Sequence, residues 1–67
     1  MAKIQINGKR ISIKSNCSVL DLLTKYKFNK RNVAVELNGT IVSKKNYNKK
    51  YLKNNDKMEI VHFIGGG

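Results

Sequence analysis

The sequence predicts an α+β fold: a mixed sheet of four or five strands packed on one short helix, with a flexible glycine tail. Three observations carry this reading. Two Asn-Gly pairs each sit between alternating apolar residues, one stretch has the spacing of a capped amphipathic helix, and a last alternating run ends in three glycines. Sixty-seven residues make one domain, 1–67, since a chain of this size hides only about 60% of the surface its unfolded form exposes. A large buried active site does not fit in it.

Residues 3–6 and 11–14 alternate apolar and polar around Asn7-Gly8. Both turn residues accept the positive φ of a type I′ turn, so a two-residue hairpin follows. That loop pairs Ile6 with Lys9 and Ile4 with Ile11, which places Ile4, Ile6, Ile11 and Ile13 on one face. Ser18-Val19-Leu20-Asp21 reads as an N-cap with an acidic residue three positions on. Val19, Leu22, Leu23 and Tyr26 then recur at helical spacing, giving a short amphipathic helix. A basic connection from Lys27 to Asn32 leads to a strand with Val33, Val35 and Leu37 on one side. Asn38-Gly39 repeats the hairpin signal before the brief strand around Ile41-Val42. Residues 44–57 are rich in Lys and Asn, with Tyr47, Tyr51 and Leu52 as the expected anchors of turns and one helical turn. Asn54-Asn55-Asp56 marks a turn before the last strand, Lys57 to Phe63. There Met58 and Ile60 face the core, and Glu59, Val61 and Phe63 face away. One sheet over one helix is the economical way to close a single small core.

Fourteen Lys and Arg against four Asp and Glu give a net charge of +10. Such a balance suggests a nucleic-acid or anionic-membrane binder. Composition weakens that suggestion, because twelve of the fourteen bases are Lys and only Arg10 and Arg31 carry the fork that reads phosphates and guanines. Lys, Asn and Ile make up 28 of the 67 residues, and all three have AT-rich codons. A biased genome would load exposed surface with Lys and Asn whatever the function. The five aromatics, Tyr26, Phe28, Tyr47, Tyr51 and Phe63, do not alternate with bases along one strand as a stacking platform requires.

Chemistry is hard to place inside the domain. No pair of carboxylates is evidently set for acid and base work, and no Ser/His/Asp arrangement or Gly-rich loop before a helix is present. One cysteine and one histidine make neither an internal disulfide nor a metal site. Cys17 stands beside the helix start, where a helix N-terminus can lower a thiol pKa; a small packed residue is the plainer reading. His62 is a strand residue that can shape a partner surface. With no apolar run near the ~20 residues of a membrane span and no apolar N-terminal stretch, the chain is expected to be cytoplasmic.

The end of the sequence does not fit a plain domain. Glycine loses the most backbone entropy on ordering, so Gly65, Gly66 and Gly67 are expected to stay flexible, with the tail at 64–67. Frayed ends are common; the functional reading is an arm that carries the α-carboxylate of Gly67 into another protein's active site.

The helix opening Ser18-Val19-Leu20-Asp21-Leu22-Leu23, the strand Val33–Leu37 with Asn38-Gly39, and Leu52 and Asp56 before Met58-Glu59-Ile60-Val61-His62-Phe63 complete a pattern with the terminal Gly-Gly. Across the whole chain this resembles the ThiS family, the small ubiquitin-like β-grasp sulfur carriers of thiamine biosynthesis. Family members often have an Asp-Gly-Asp-like run where this chain has Asn54-Asn55-Asp56, and Asn is the non-glycine residue best suited to that turn.

The resemblance implies a protein co-substrate rather than an enzyme. A ThiF-type adenylyltransferase would use ATP and Mg²⁺ to adenylate Gly67, and sulfur from a cysteine desulfurase or another donor would displace AMP to leave a thiocarboxylate. Thiazole synthase (ThiG) would then take the sulfur. Gly65 and Gly66 would let the tail thread a narrow passage, and Val61, His62, Phe63 and Ile64 would form the partner surface. No bound cofactor or metal, no nucleic acid and no membrane are implied, and the free chain is expected to be a monomer. Molybdopterin-synthase small subunits also end in Gly-Gly and are the alternative carriers most easily confused with this pattern, but they are usually longer and carry an Arg-containing segment early in the first helix that this chain lacks. A ubiquitin-like modifier and a small basic nucleic-acid-binding module are the other readings.

Overall fold

A computed structural model describes residues 1–62. Five strands and one helix follow in chain order: β1 (Ala2–Ile6), β2 (Lys9–Ile13), α1 (Val19–Lys25), β3 (Val33–Leu37), β4 (Thr40–Val42) and β5 (Lys57–His62), with 3₁₀ turns at Lys30–Asn32 and Lys44–Asn46. The strands form one sheet in the order β2-β1-β5-β3-β4. β1 and β5 run parallel and the other pairs antiparallel, so the sheet is mixed, and the last strand lies at its centre.

The hairpins form where the Asn-Gly pairs place them. Ile4 pairs with Ile11 and Ile6 with Lys9 in the first, and Leu37 pairs with Thr40 in the second. Asn7 and Gly8 have φ of 49° and 85°, and Asn38 and Gly39 have 51° and 85°. Two consecutive positive φ values match the right-handed twist of the flanking strands.

The start of α1 is fully provided with acceptors. Ser18 Oγ accepts from the Asp21 amide at 3.0 Å, and the Ser18 amide donates to Asp21 Oδ2 at 3.1 Å, a complete capping box. The amides of Val19 and Leu20 donate to the carbonyls of Lys50 and Tyr47, each at 2.8 Å. The segment after β4 therefore satisfies helix donors that would otherwise lack partners. At the other end Lys27 turns left-handed at φ 61°. Its amide bonds the Thr24 carbonyl, and the Phe28 amide bonds that of Leu23, a Schellman closure.

The core holds Ile4, Ile13, Val19, Leu22, Leu23, Val33, Val35, Leu37, Tyr47, Leu52, Met58 and Ile60. The periodicity read from the sequence thus selects the buried faces of β3 and β5 and, in α1, Val19, Leu22 and Leu23, with Ile6 and Ile11 half-buried at the rim. Tyr26, expected on the same helix face, is the C-cap and 45% exposed, because the helix ends before it can turn that side chain onto the core. One expected anchor differs. Tyr47 is buried and Leu52 is buried, but Tyr51 is 52% exposed. Its backbone bridges Ser18 in strand-like pairing, and the strand period that turns Leu52 inward turns Tyr51 outward.

Turn asparagines do more than turn. The Asn7 amide donates to the Met58 carbonyl at 2.9 Å, its Nδ2 donates to the Ile60 carbonyl at 3.2 Å, and its Oδ1 accepts from the Ile60 amide at 2.8 Å. A side-chain amide here continues the β1–β5 ladder past the end of β1. On the other flank, Asn38 Oδ1 accepts from the Lys57 amide at 2.8 Å and Asn38 Nδ2 donates to Asp56 Oδ1 at 2.9 Å. Asp56 Oδ2 accepts from the Lys53 amide at 2.7 Å, closing the turn that Asn55 makes at φ 72°. Asn7→Gly keeps the positive φ and removes only the two side-chain bonds to Ile60. Chemical denaturation is expected to show a loss of about 1–3 kcal/mol; an unchanged midpoint would mean that the side-chain bonds hold nothing.

Candidate functional site

The strand that leads into the glycine tail is the most firmly held in the sheet. β5 pairs with β3 along its length, from Leu37↔Met58 to Val33↔His62, and with β1 at Gln5↔Lys57 and Ile6↔Met58. Past Ile60 it has β3 alone as a neighbour, so its last two residues stand at the rim of the sheet.

Those two residues point to opposite faces. Val61 is 59% exposed on the outer face, opposite Ala34 of β3. His62 lies on the helix side, its ring centroid 5.2 Å from that of Phe28 at an interplanar angle of 39°. The expected partner surface of Val61, His62, Phe63 and Ile64 is therefore not one face at its first two positions. Phe63, Ile64, Gly65, Gly66 and Gly67 lie outside the described residues.

On the outer face Val61 is joined by Ile41 of β4, 66% exposed. A shallow concavity there is lined by Ala34, Glu36, Ile41, Glu59 and Val61. Ile41, Glu36 and Glu59 lie in register across β4, β3 and β5, which sets two carboxylates side by side. Asp21 and Asp56 are engaged with backbone amides, so this face displays the two acids that no described contact uses. Adjacent exposed apolar side chains of this kind mark a protein-binding surface. Ile41 could not be found from the sequence as part of it, because its strand is three residues long and the pairing that brings it beside Val61 is set by the fold.

Cys17 is not an activated thiol. Burial is the main cause that pushes its pKa up, the Asp21 carboxylate adds to the rise, and Lys25 and Lys14 oppose it. The helix amides beside it are already bonded to carbonyl and hydroxyl oxygens, and the thiol itself donates to the Ser18 carbonyl at 3.6 Å. Among the described residues no group of three His, Cys, Asp or Glu side chains is placed to hold a metal ion, and no helix is long and apolar enough to cross a membrane.

A family model described as the ThiS family matches residues 4–67. The chain belongs to the ThiS family. The sulfur carrier protein ThiS of Bacillus subtilis is 40% identical over 65 residues, covering 96% of this chain and 98% of that protein. A thiazole synthase of Paramagnetospirillum magneticum is 42% identical over 65 residues, which make up 97% of this chain and 20% of that protein. The crystal structure of the thiamine biosynthesis protein ThiS from Geobacter metallireducens matches with a TM-score of 0.83 at 29% identity, covering 97% of this chain and 99% of that one. The mixed sheet on one helix is thus the ubiquitin-like β-grasp fold of ThiS proteins.

Because burial raises the Cys17 pKa, its thiol stays protonated at neutral pH. Alkylation by iodoacetamide is expected to be slower than that of free cysteine, and Cys17→Ser is expected to retain full carrier activity. Faster alkylation together with lost activity would return Cys17 to the chemistry.

Proposed function

We propose that this chain is a cytoplasmic sulfur carrier for thiazole formation in thiamine biosynthesis, and that its working group is the carboxylate of Gly67. The observation that carries the reading is the match to the ThiS family from residue 4 through the terminal glycines, on a fold whose central strand is the element that precedes those glycines in sequence.

A free carboxylate is a poor electrophile, so it needs a leaving group. A ThiF-type adenylyltransferase would supply one from ATP and Mg²⁺: a Gly67 carboxylate oxygen attacks the α-phosphorus, pyrophosphate leaves, and an acyl-adenylate forms. A persulfide delivered from a cysteine desulfurase then attacks the acyl carbon and AMP departs, and a thiol cleaves the resulting acyl disulfide, becoming oxidised to a disulfide and leaving a thiocarboxylate. A donor that supplies sulfide would give the thiocarboxylate directly. Thiazole synthase (ThiG) takes that sulfur and returns the carboxylate. A thiazole synthase that contains a segment similar to this whole chain supports that pairing. The chain acts as a recycled co-substrate with no cofactor of its own.

Gly65 and Gly66 suit this role because any Cβ would widen the tail and restrict its φ. Val61 with Ile41, and Phe63 and Ile64 beyond, would dock the carrier while the tail is inserted; His62 would contribute from the helix side. The monomer presents this surface free to one enzyme at a time.

Incubation with ATP, a ThiF-type enzyme and a sulfur source is expected to replace one C-terminal oxygen by sulfur, read by intact mass. An unchanged mass with enzymes active on another carrier would overturn the assignment. Deletion of Gly66 and Gly67 is expected to abolish this conversion with the melting temperature unchanged, since the core described above lies within residues 1–62. A large fall in melting temperature would show that the glycines serve the fold.

A further inference from the structure

A second surface lies two strands away from β5, at the opposite side of the sheet from β4. β2 is an edge strand. In a two-residue hairpin the pair flanking the turn is hydrogen-bonded and bonded pairs alternate. Lys9, Ile11 and Ile13 therefore bond to β1, and the amide and carbonyl groups of Arg10 and Ser12 point outward from the sheet. The other edge, β4, offers only three residues.

Beside this edge runs a groove of about 710 Å³ between the end of β2, the loop that follows it and α1, lined among others by Ile13, Cys17, Leu20, Lys14 and Lys25. Its floor is apolar: Ile13 is buried, and Cys17 and Leu20 are half-buried, as is Ile11 along the strand. Its rim carries the exposed bases Lys14 and Lys25, and Lys9 and Arg10 are exposed farther back along β2. Asp21, the one acid on the groove, is held in the capping box. A free strand edge, an apolar trough on the core side of it and a cationic border are three independent requirements for binding an extended acidic chain.

We propose that the β2 edge and the adjoining groove take up an extended, acidic peptide segment of a partner protein, which adds a strand to the sheet. Main-chain bonds to Arg10 and Ser12 would fix its register. Alternate side chains on the helix side would be apolar and rest over Ile11, Leu20 and Cys17, and those on the outer face would be acidic and meet Arg10 and Lys14. A second copy of this chain is a poor occupant, since β2 against β2 would bring the two basic borders together. The site leaves Val61 and Ile41 uncovered, so a partner bound here and one docked on the outer face beside β5 are compatible. It stands independently of the sulfur-carrier reading.

The test titrates the full ¹⁵N-labelled chain with a blocked peptide alternating aspartate and valine, at physiological salt. Slowed amide exchange at Arg10 and Ser12 on saturation is the expected result. A scrambled peptide of the same composition is expected to bind much more weakly. Ser12→Pro removes an outward donor and no hairpin bond, as edge positions allow, and Arg10→Glu reverses one border charge; each is expected to weaken binding by about fivefold. Absence of binding at millimolar peptide, unchanged exchange at Arg10 and Ser12, or equal binding of the scrambled peptide would overturn the proposal. The Arg10→Glu chain retains the hairpin bonds, so it decides the matter if Ser12→Pro folds poorly.

Discussion

The structure depends on how β5 is gripped. This strand is the last to be made, lies between the two hairpins, and supplies Met58 and Ile60 to the core. Each hairpin turn extends an asparagine side chain to it or to the turn before it: Asn7 to both backbone groups of Ile60, and Asn38 to the Lys57 amide and to the carboxylate of Asp56 just ahead of the strand. Four side-chain bonds at a net of about 1 kcal/mol each are a large share of what a domain this small has to spare. The grip that joins the hairpins therefore also fixes β5, the strand that precedes in sequence the segment proposed to carry the chemistry.

Much of the fold is legible in the sequence because it is local. The hairpin registers follow from the two-residue loops, the helix start from Ser18 and Asp21, and the buried faces of β3 and β5 from strict alternation. The parts that are not legible are long-range. Asn7 and Ile60 are 53 residues apart in sequence, and no local pattern says that a turn residue will finish a neighbouring ladder. Tyr47 and Tyr51 look equivalent along the chain, yet one is interior and the other is out in solvent. The difference arises from the bridge between Ser18 and Tyr51, which docks residues 47–52 on the helix start.

The composition also reads differently in three dimensions. By composition alone, asparagine is a product of codon bias on an idle surface. Six of the nine nevertheless serve the backbone: Asn7, Asn16, Asn38 and Asn55 hold positive φ, Asn29 caps a 3₁₀ turn, and Asn54 accepts from the Lys3 amide. All twelve lysines are exposed, although Lys44 Nζ donates to the Arg31 carbonyl and Lys14 and Lys25 border the groove beside α1. The charge is nevertheless uneven. Glu36 and Glu59 stand opposite each other on β3 and β5, an arrangement that like charges disfavour, and they border the exposed Val61 and Ile41. A partner that docks on this face meets carboxylates and apolar groups, whatever the net charge of +10 does at longer range. For the candidate site, the chain order and the terminal glycines are visible in the sequence, and only the pairing of β3, β4 and β5 reveals Ile41.

The reactive group proposed for this chain is its terminal carboxylate rather than any side chain of the domain. Intact-mass measurement of the protein isolated from its own cells after depletion of thiazole synthase tests this most directly, because sulfur loaded onto the carrier would then accumulate. Replacement of one oxygen by sulfur, localised by fragmentation to Gly67, is the expected result. A terminus left as the plain carboxylate in those cells, or one joined to a lysine of another protein, would contradict it.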